Sequence, residues 1–289
     1  MDLPPGIPVA PAIIDAHASL LGIGSKKPNQ LTMVMGTSTC HIMLHKEQKS
    51  IPGISGSVKD AIIPNLYAYE AGQSAVGDLF DYATRQAPLD YWGEAEEKGI
   101  SIFQLLERKA ASKEVGETGL LALDWHNGNR SLLSDTKLRG LLIGETLHTA
   151  CEDIFKAYME ATAYGTKMIM KSYENYGLTI DEIFACGGLP KKNSLLMQIY
   201  ADVLQKPIHI SSSEYAPAVG AAILGALAGG SFSTMEEAIE QMKQPFLKTV
   251  YPVEENAKKY EKLFQIYNEL HEQFGVVNKK VMYDLQSIQ

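Results

Sequence analysis

The sequence predicts an α/β domain built on a mixed β-sheet flanked by helices. Residues 31–44, L-T-M-V-M-G-T-S-T-C-H-I-M-L, set two strand-prone apolar runs on either side of a tight polar turn. From residue 149 onwards, helical periodicity alternates with short apolar runs, the pattern of helices laid over a sheet. The composition agrees: 45% hydrophobic and 21% charged residues in 289 describe an ordinary globular chain, as one large domain or two small ones.

Composition also excludes several function classes. A net charge of −8 argues against nucleic acid or an anionic membrane as the main partner. The three cysteines, Cys40, Cys151 and Cys186, are too scattered for a disulfide framework or a zinc site, and a reducing cytoplasm fits them best. The start, M-D-L-P-P-G-I-P-V, has neither the basic nor the apolar region of a signal peptide. The longest weakly polar run, 216–230, is too short and too rich in Gly and Ala to span a bilayer.

In chain order, residues 7–14 read as a short buried strand with prolines at its rim. Asp15 follows at the strand end, and A-H-A-S-L-L-G reads as a helix stopped by Gly22. By itself Asp15 is a helix cap; at a strand end in an α/β protein it is also a site address. Gly36, Thr37, Ser38 and Thr39 form the turn between the first two firm strands. Taken alone this is an ordinary Ser/Thr-capped turn, and its N–H groups and hydroxyls are also the equipment of an anion cradle. A-I-I-P-N-L-Y-A-Y reads as a further strand running into Glu70, with a helix over 74–85. Residues 86–117 are polar and partly helical and read as an insertion on the core. G-L-L-A-L-D-W and L-R-G-L-L-I-G-E read as short strands, and 149–176 as the longest helix, with a stripe of Ile154, Ala157, Tyr158, Ala161, Gly165, Met168 and Ile169. A strand over 180–186 ends in Gly187 and Gly188. A helix over 192–204, a strand over 207–210, a small-residue helix over 216–228 and an amphipathic helix over 255–274 complete the reading, with 232–289 as a helical tail.

Asp15, G-T-S-T at 36–39, G-L-L-I-G at 140–144, G-G at 187–188 and A-V-G-A-A at 218–222 thus stand in one order. This order resembles the C-terminal half of the FGGY carbohydrate kinases, of the actin-like ATPase (ribonuclease H-like) superfamily. E-A-G-Q-S-A at 70–75, D-W-H-N-G-N-R at 124–130, E-A-T-A-Y-G at 160–165 and G-G-L-P-K-K-N at 187–193 resemble the branch that phosphorylates L-ribulose in arabinose breakdown. The likeness covers nearly all of 1–289, with 86–117 and the tail least diagnostic. The superfamily's first phosphate motif, D-x-G-T, is not in these residues, since Val34 and Met35 precede G-T-S. Family chains are about twice this length, so the resemblance implies a C-terminal nucleotide-binding domain whose partner, the N-terminal sugar-binding domain, is absent from the sequence.

The resemblance implies transfer of the ATP γ-phosphoryl group to a hydroxyl of L-ribulose, with Asp15 as general base at the sugar. It places Gly36, Thr37 and Ser38 at the phosphates, Gly144 beside the nucleotide, and Gly187, Gly188 and Asn193 near adenine and ribose. Glu70 would contact the sugar. Mg²⁺ would come with ATP, held by phosphates and waters, with no protein metal cage in this chain. His17, His41 and His45 have no spacing that demands a ligand role and read as surface or packing residues. Alone, the chain is expected to be inactive and, with apolar surface left uncovered, to self-associate as a homodimer. Two rival readings are another sugar kinase of the family, for xylulose or glycerol, and a non-catalytic nucleotide-binding module of actin-like fold.

Overall fold

The computed structural model describes residues 5–288; residues 1–4 and 289 of the expected domain lie outside them. In chain order the elements are α1 (Asp15–Ile23), β1 (Gln30–Met35), β2 (Thr39–His45), β3 (Gly56–Lys59), β4 (Tyr67–Gln73), α2 (Gly77–Thr84), α3 (Leu89–Glu97), α4 (Ile102–Ala111), β5 (Leu121–Leu123) and β6 (Leu141–Ile143). There follow α5 (Cys151–Asn175), β7 (Glu182–Cys186), α6 (Gly188–Lys192), α7 (Ser194–Leu204), β8 (Ile208–Ser211), α8 (Ala216–Ala228), α9 (Met235–Met242), β9 (Phe246–Val250), α10 (Glu254–Glu272), a π-turn Gln273–Val277 and α11 (Lys280–Ser287).

Seven strands form one mixed sheet in the order β3-β4-β2-β1-β7-β8-β9. The hairpin β1–β2 is antiparallel, with Leu31 opposite Met43 and Met35 opposite Thr39, as residues 31–44 predict. β7 and β8 join β1 in parallel, and β9 closes the edge antiparallel to β8. Strand alternation sorts the side chains. Leu31, Met33 and Met35 enter the larger core with α5 and α7, while Ile42, Leu44 and Ala68 face the layer of α1, α8 and α9. A sheet covered on both faces explains why its central strands read as nearly continuous apolar runs.

Several expectations need correction. Residues 7–14 make no strand: Val9 and Ile14 are exposed, and Pro8 and Pro11 have no N–H to give to a ladder. α1 runs past Gly22 and ends at Gly24, whose φ of 82° is the left-handed cap that stops a helix. Gly22 instead allows close packing, since a Cβ there would stand 2.2 Å from the carbonyl oxygen of Ala216. Residues 86–117, expected as an insertion, form α3 and α4, and Ile102, Leu105, Leu106 and Ala110 of α4 belong to the same core as α5. The 232–289 segment is not wholly helical, because β9 lies within it.

Candidate active site

β1 and β7 run in parallel, and the chain leaves both at neighbouring carboxyl ends, Val34 standing opposite Cys186. Such strand ends are where open α/β sheets bind ligands. From β1 comes the turn Gly36–Ser38, closed by the Gly36 N–H donating to the Ser38 carbonyl at 2.9 Å. The start of α2 fixes the turn from outside: the N–H groups of Val76 and Gly77 donate to the carbonyls of Thr37 and Gly36 at 2.8 and 3.1 Å. Among the described residues, the N–H groups and hydroxyls of Thr37 and Ser38 have no protein partner. Free donors on a fixed turn suit an anion.

This turn borders a cleft of about 790 Å³. Gly36 and Thr37 lie on one side, Gly188, Leu189 and Lys192 of α6 on another, and Asp78 of α2 and Phe103 of α4 on the rest. Gly36 and Gly188 lack a positive φ, and a Cβ on Gly188 would meet nothing within 4 Å, on Gly36 only the Ser38 carbonyl oxygen at 3.8 Å. The protein's own packing therefore does not require glycine at either position. A ligand in the cleft would.

The remaining expected nucleotide contacts divide. Gly187 is held by the fold: its φ is 105°, and a Cβ would stand 2.2 Å from the Met35 carbonyl oxygen. Asn193 is fully buried and caps α7, its Oδ1 accepting from the Leu196 N–H at 2.8 Å. Gly144 stands outside the cleft lining, and a Cβ there would clash with the carbonyl oxygen of Gly119 at 2.2 Å. Phe103 and Lys192 went unread as cleft residues. Lys192 lies inside the quoted stretch 187–193, whereas nothing in the pattern of 86–117 marks Phe103.

On the opposite face of the sheet, α1 brings a second set of groups together. Asp15 is the first residue of α1 and exposed, one carboxylate oxygen accepting from the Ala16 N–H at 2.8 Å. Glu70, paired with Ile42 across β4–β2, points to the same face. Its Oε2 lies 3.2 Å from His17 Nε2, and its Oε1 accepts from Arg130 Nη2 at 2.8 Å. Burial pushes the Cys40 thiol up, with smaller opposing influences from the charge of Arg130 and from Glu70 and Asp15. His17 and Arg130 join this candidate set; spacing does not mark His17, whereas Arg130 closes the quoted stretch 124–130. Among the described residues no group of three or more His, Cys, Asp or Glu could hold a metal ion, and no helix is long and apolar enough to cross a membrane.

Residues 31–229 match the family described as "FGGY family of carbohydrate kinases, C-terminal domain". The chain is 57% identical to "Ribulokinase 2" of Staphylococcus saprophyticus over 288 residues, which is 100% of the chain and 53% of the relative. It is 55% identical to a "Ribulokinase" of Staphylococcus aureus over 280 residues, 97% of the chain and 51% of the relative. The chain thus spans about half the length of these curated relatives. Among solved structures it is similar to a xylulose kinase from Rhodospirillum rubrum, with TM-score 0.81 and 24% identity over 94% of the chain and 52% of that protein. It is also similar to a glycerol kinase from Plasmodium falciparum with ADP, with TM-score 0.66 and 16% identity over 88% of the chain and 49% of that protein. At such identities the structures speak for the shared fold.

Proposed function

The chain belongs to the FGGY family of carbohydrate kinases, and we propose that it is the nucleotide-binding domain of an enzyme that phosphorylates L-ribulose with ATP. The observation that carries this reading is the cleft with Gly36 and Gly188 on its walls, where open space replaces two side chains. The whole-length identity to the staphylococcal proteins named ribulokinase supports the choice of sugar.

In this reading ATP lies on the α2–α4–α6 side, with its phosphates at Thr37 and Ser38. Their N–H groups and hydroxyls would carry the charge that builds on the transferred group. Lys192 adds a cation to the cleft wall. The sugar lies on the α1 side, and the turn 36–38 is where the two ligands meet. Asp15 accepts the proton of the attacking hydroxyl, while Glu70 accepts hydrogen bonds from other sugar hydroxyls. Bound Mg²⁺ would supply neutralisation of phosphate charge, with its contacts to the nucleotide and not to a protein cage. A first domain would supply the opposite wall of the sugar site.

Calorimetry of ATP on this chain tests the nucleotide half of the proposal. The wild type binds, and Gly36→Val, which sends a branched side chain into the cleft, loses binding while keeping the fold. Unchanged affinity in Gly36→Val would return the segment to an ordinary hairpin turn. The acceptor is tested with a sugar panel on a two-domain enzyme, made by joining this chain to the N-terminal half of a staphylococcal relative. A preference for xylulose or glycerol over L-ribulose would contradict the reading.

A further inference from the structure

Glu70 is gripped at both oxygens, Oε2 by His17 from α1 and Oε1 by Arg130 from the loop after β5. We infer that Arg130, seconded by His17, is a positioning residue that fixes the Glu70 carboxylate for the sugar hydroxyls; this rests on reading Glu70 as sugar-facing.

The loop that carries Arg130 is built to hold still. Ser131 Oγ accepts from the N–H of Gly72 in β4 at 2.7 Å, and Asn129 and Asp135 exchange backbone hydrogen bonds at 2.9 and 2.8 Å. Asn129 Oδ1 also accepts from the Leu133 N–H at 3.1 Å. Gly72 makes room for the guanidinium: a Cβ there would stand 3.1 Å from Arg130 Nη1 and 2.9 Å from the Thr39 carbonyl oxygen. Arg130 therefore lies along β4 with one nitrogen over Gly72 and the other on Glu70. A planar fork can do both at once, and a lysine ammonium cannot.

The chemistry fits a positioning role. A carboxylate oxygen has two lone pairs, so each Glu70 oxygen can keep its protein partner and still accept one hydroxyl. Without Arg130 and His17 the side chain would choose among rotamers, and sugar binding would have to overcome that freedom. Arg130 and Glu70 should consequently behave as one unit, and loss of either should act on the sugar and not on the nucleotide, which lies across the sheet.

The test is steady-state kinetics on the joined two-domain enzyme with ATP and L-ribulose, comparing Arg130→Gln, Arg130→Lys, Glu70→Ala and the double variant Arg130→Gln/Glu70→Ala. Arg130→Gln should raise the sugar KM about tenfold or more while the ATP KM stays within about twofold. Arg130→Lys should recover part of the loss, and the double variant should be little worse than Glu70→Ala alone. Additive losses in the double variant would show that Arg130 acts independently of Glu70 and overturn the inference. So would an equal loss for both substrates, which marks a folding role. A Glu70→Ala effect on the sugar KM with none from Arg130→Gln would overturn the clamp alone. An unmoved sugar KM in Glu70→Ala would sink the sugar-side reading of Glu70, and the inference with it.

Discussion

At the scale of residues, the proposed chemistry rests on a few charged side chains. Asp15 is exposed at the head of α1, with one oxygen given to the Ala16 N–H and the other free. Asp15→Asn keeps that local hydrogen bond and removes the proposed base. In the joined enzyme kcat should fall by about 10²–10⁴ with ATP affinity nearly unchanged. Normal turnover would remove Asp15 from the mechanism. Glu160 carries a different signature, on α5 inside the core, where burial raises its carboxyl to about 7 despite the nearby Lys156 cation and a hydrogen bond from Tyr260. The raised folded-state value means that the stability contributed by the protonated form is present at low pH and fades as pH rises through about 7. Glu160→Gln mimics the protonated form, so it should match the wild type at pH 5 and exceed its Tm at pH 8. Equal Tm at both values would show that the carboxylate ionises there without cost. The sequence marked Asp15, Glu70 and the phosphate turn through motif order. Asn193, expected near adenine and ribose, gives its Oδ1 to the head of α7 as a cap, and a cap and a contact leave the same letter at the same place.

At the scale of elements, the seam between α1 and α8 aims Asp15. Glycines on both helices let the backbones touch: a Cβ on Gly220 would stand 1.9 Å from the Ala18 carbonyl oxygen, and one on Gly22 would stand 2.2 Å from that of Ala216. Gly220→Ala must push the helices apart, so it should cost about 1–3 kcal/mol of stability, read as a lowered Tm in thermal unfolding. In the joined enzyme it should also lower kcat more than it raises the ATP KM, because α1 moves and the cleft does not. Loss of ATP affinity with kcat intact would place the seam's influence elsewhere. Legibility varied by element for physical reasons. The hairpin β1–β2 and the helices α5, α7, α8 and α10 announce themselves through long apolar runs or a helical stripe. β3 and β9 do not, since both are edge strands with largely exposed residues and no clean alternation. Residues 7–14 differ the other way: an apolar run reads as buried strand, while its prolines keep it out of the sheet.

At the scale of the whole molecule, the proposed reading has the sheet divide two ligands that must meet. It puts the nucleotide on the α2–α4–α6 side and the sugar on the α1 side, with the turn 36–38 between them. The mixed α/β architecture was legible because hairpin and parallel units differ in spacing along the chain, whereas the wall formed by α4 was hidden in a polar stretch without a stripe to mark it. The chain spans about half the length of its curated relatives, so the proposed site needs a second domain to exclude water and hold the sugar. Orientation of two reactants is worth up to roughly 7–11 kcal/mol, most of which a half-site forfeits. The most direct measurement is sugar-dependent ADP release with ATP, Mg²⁺ and L-ribulose, for this chain alone and joined to the N-terminal half of a staphylococcal relative. The chain alone should give background release and the joined enzyme ribulose-dependent release, abolished by Asp15→Asn. Ribulose-dependent turnover by the chain alone, or release from the joined enzyme that ignores the sugar, would contradict the proposed two-domain site.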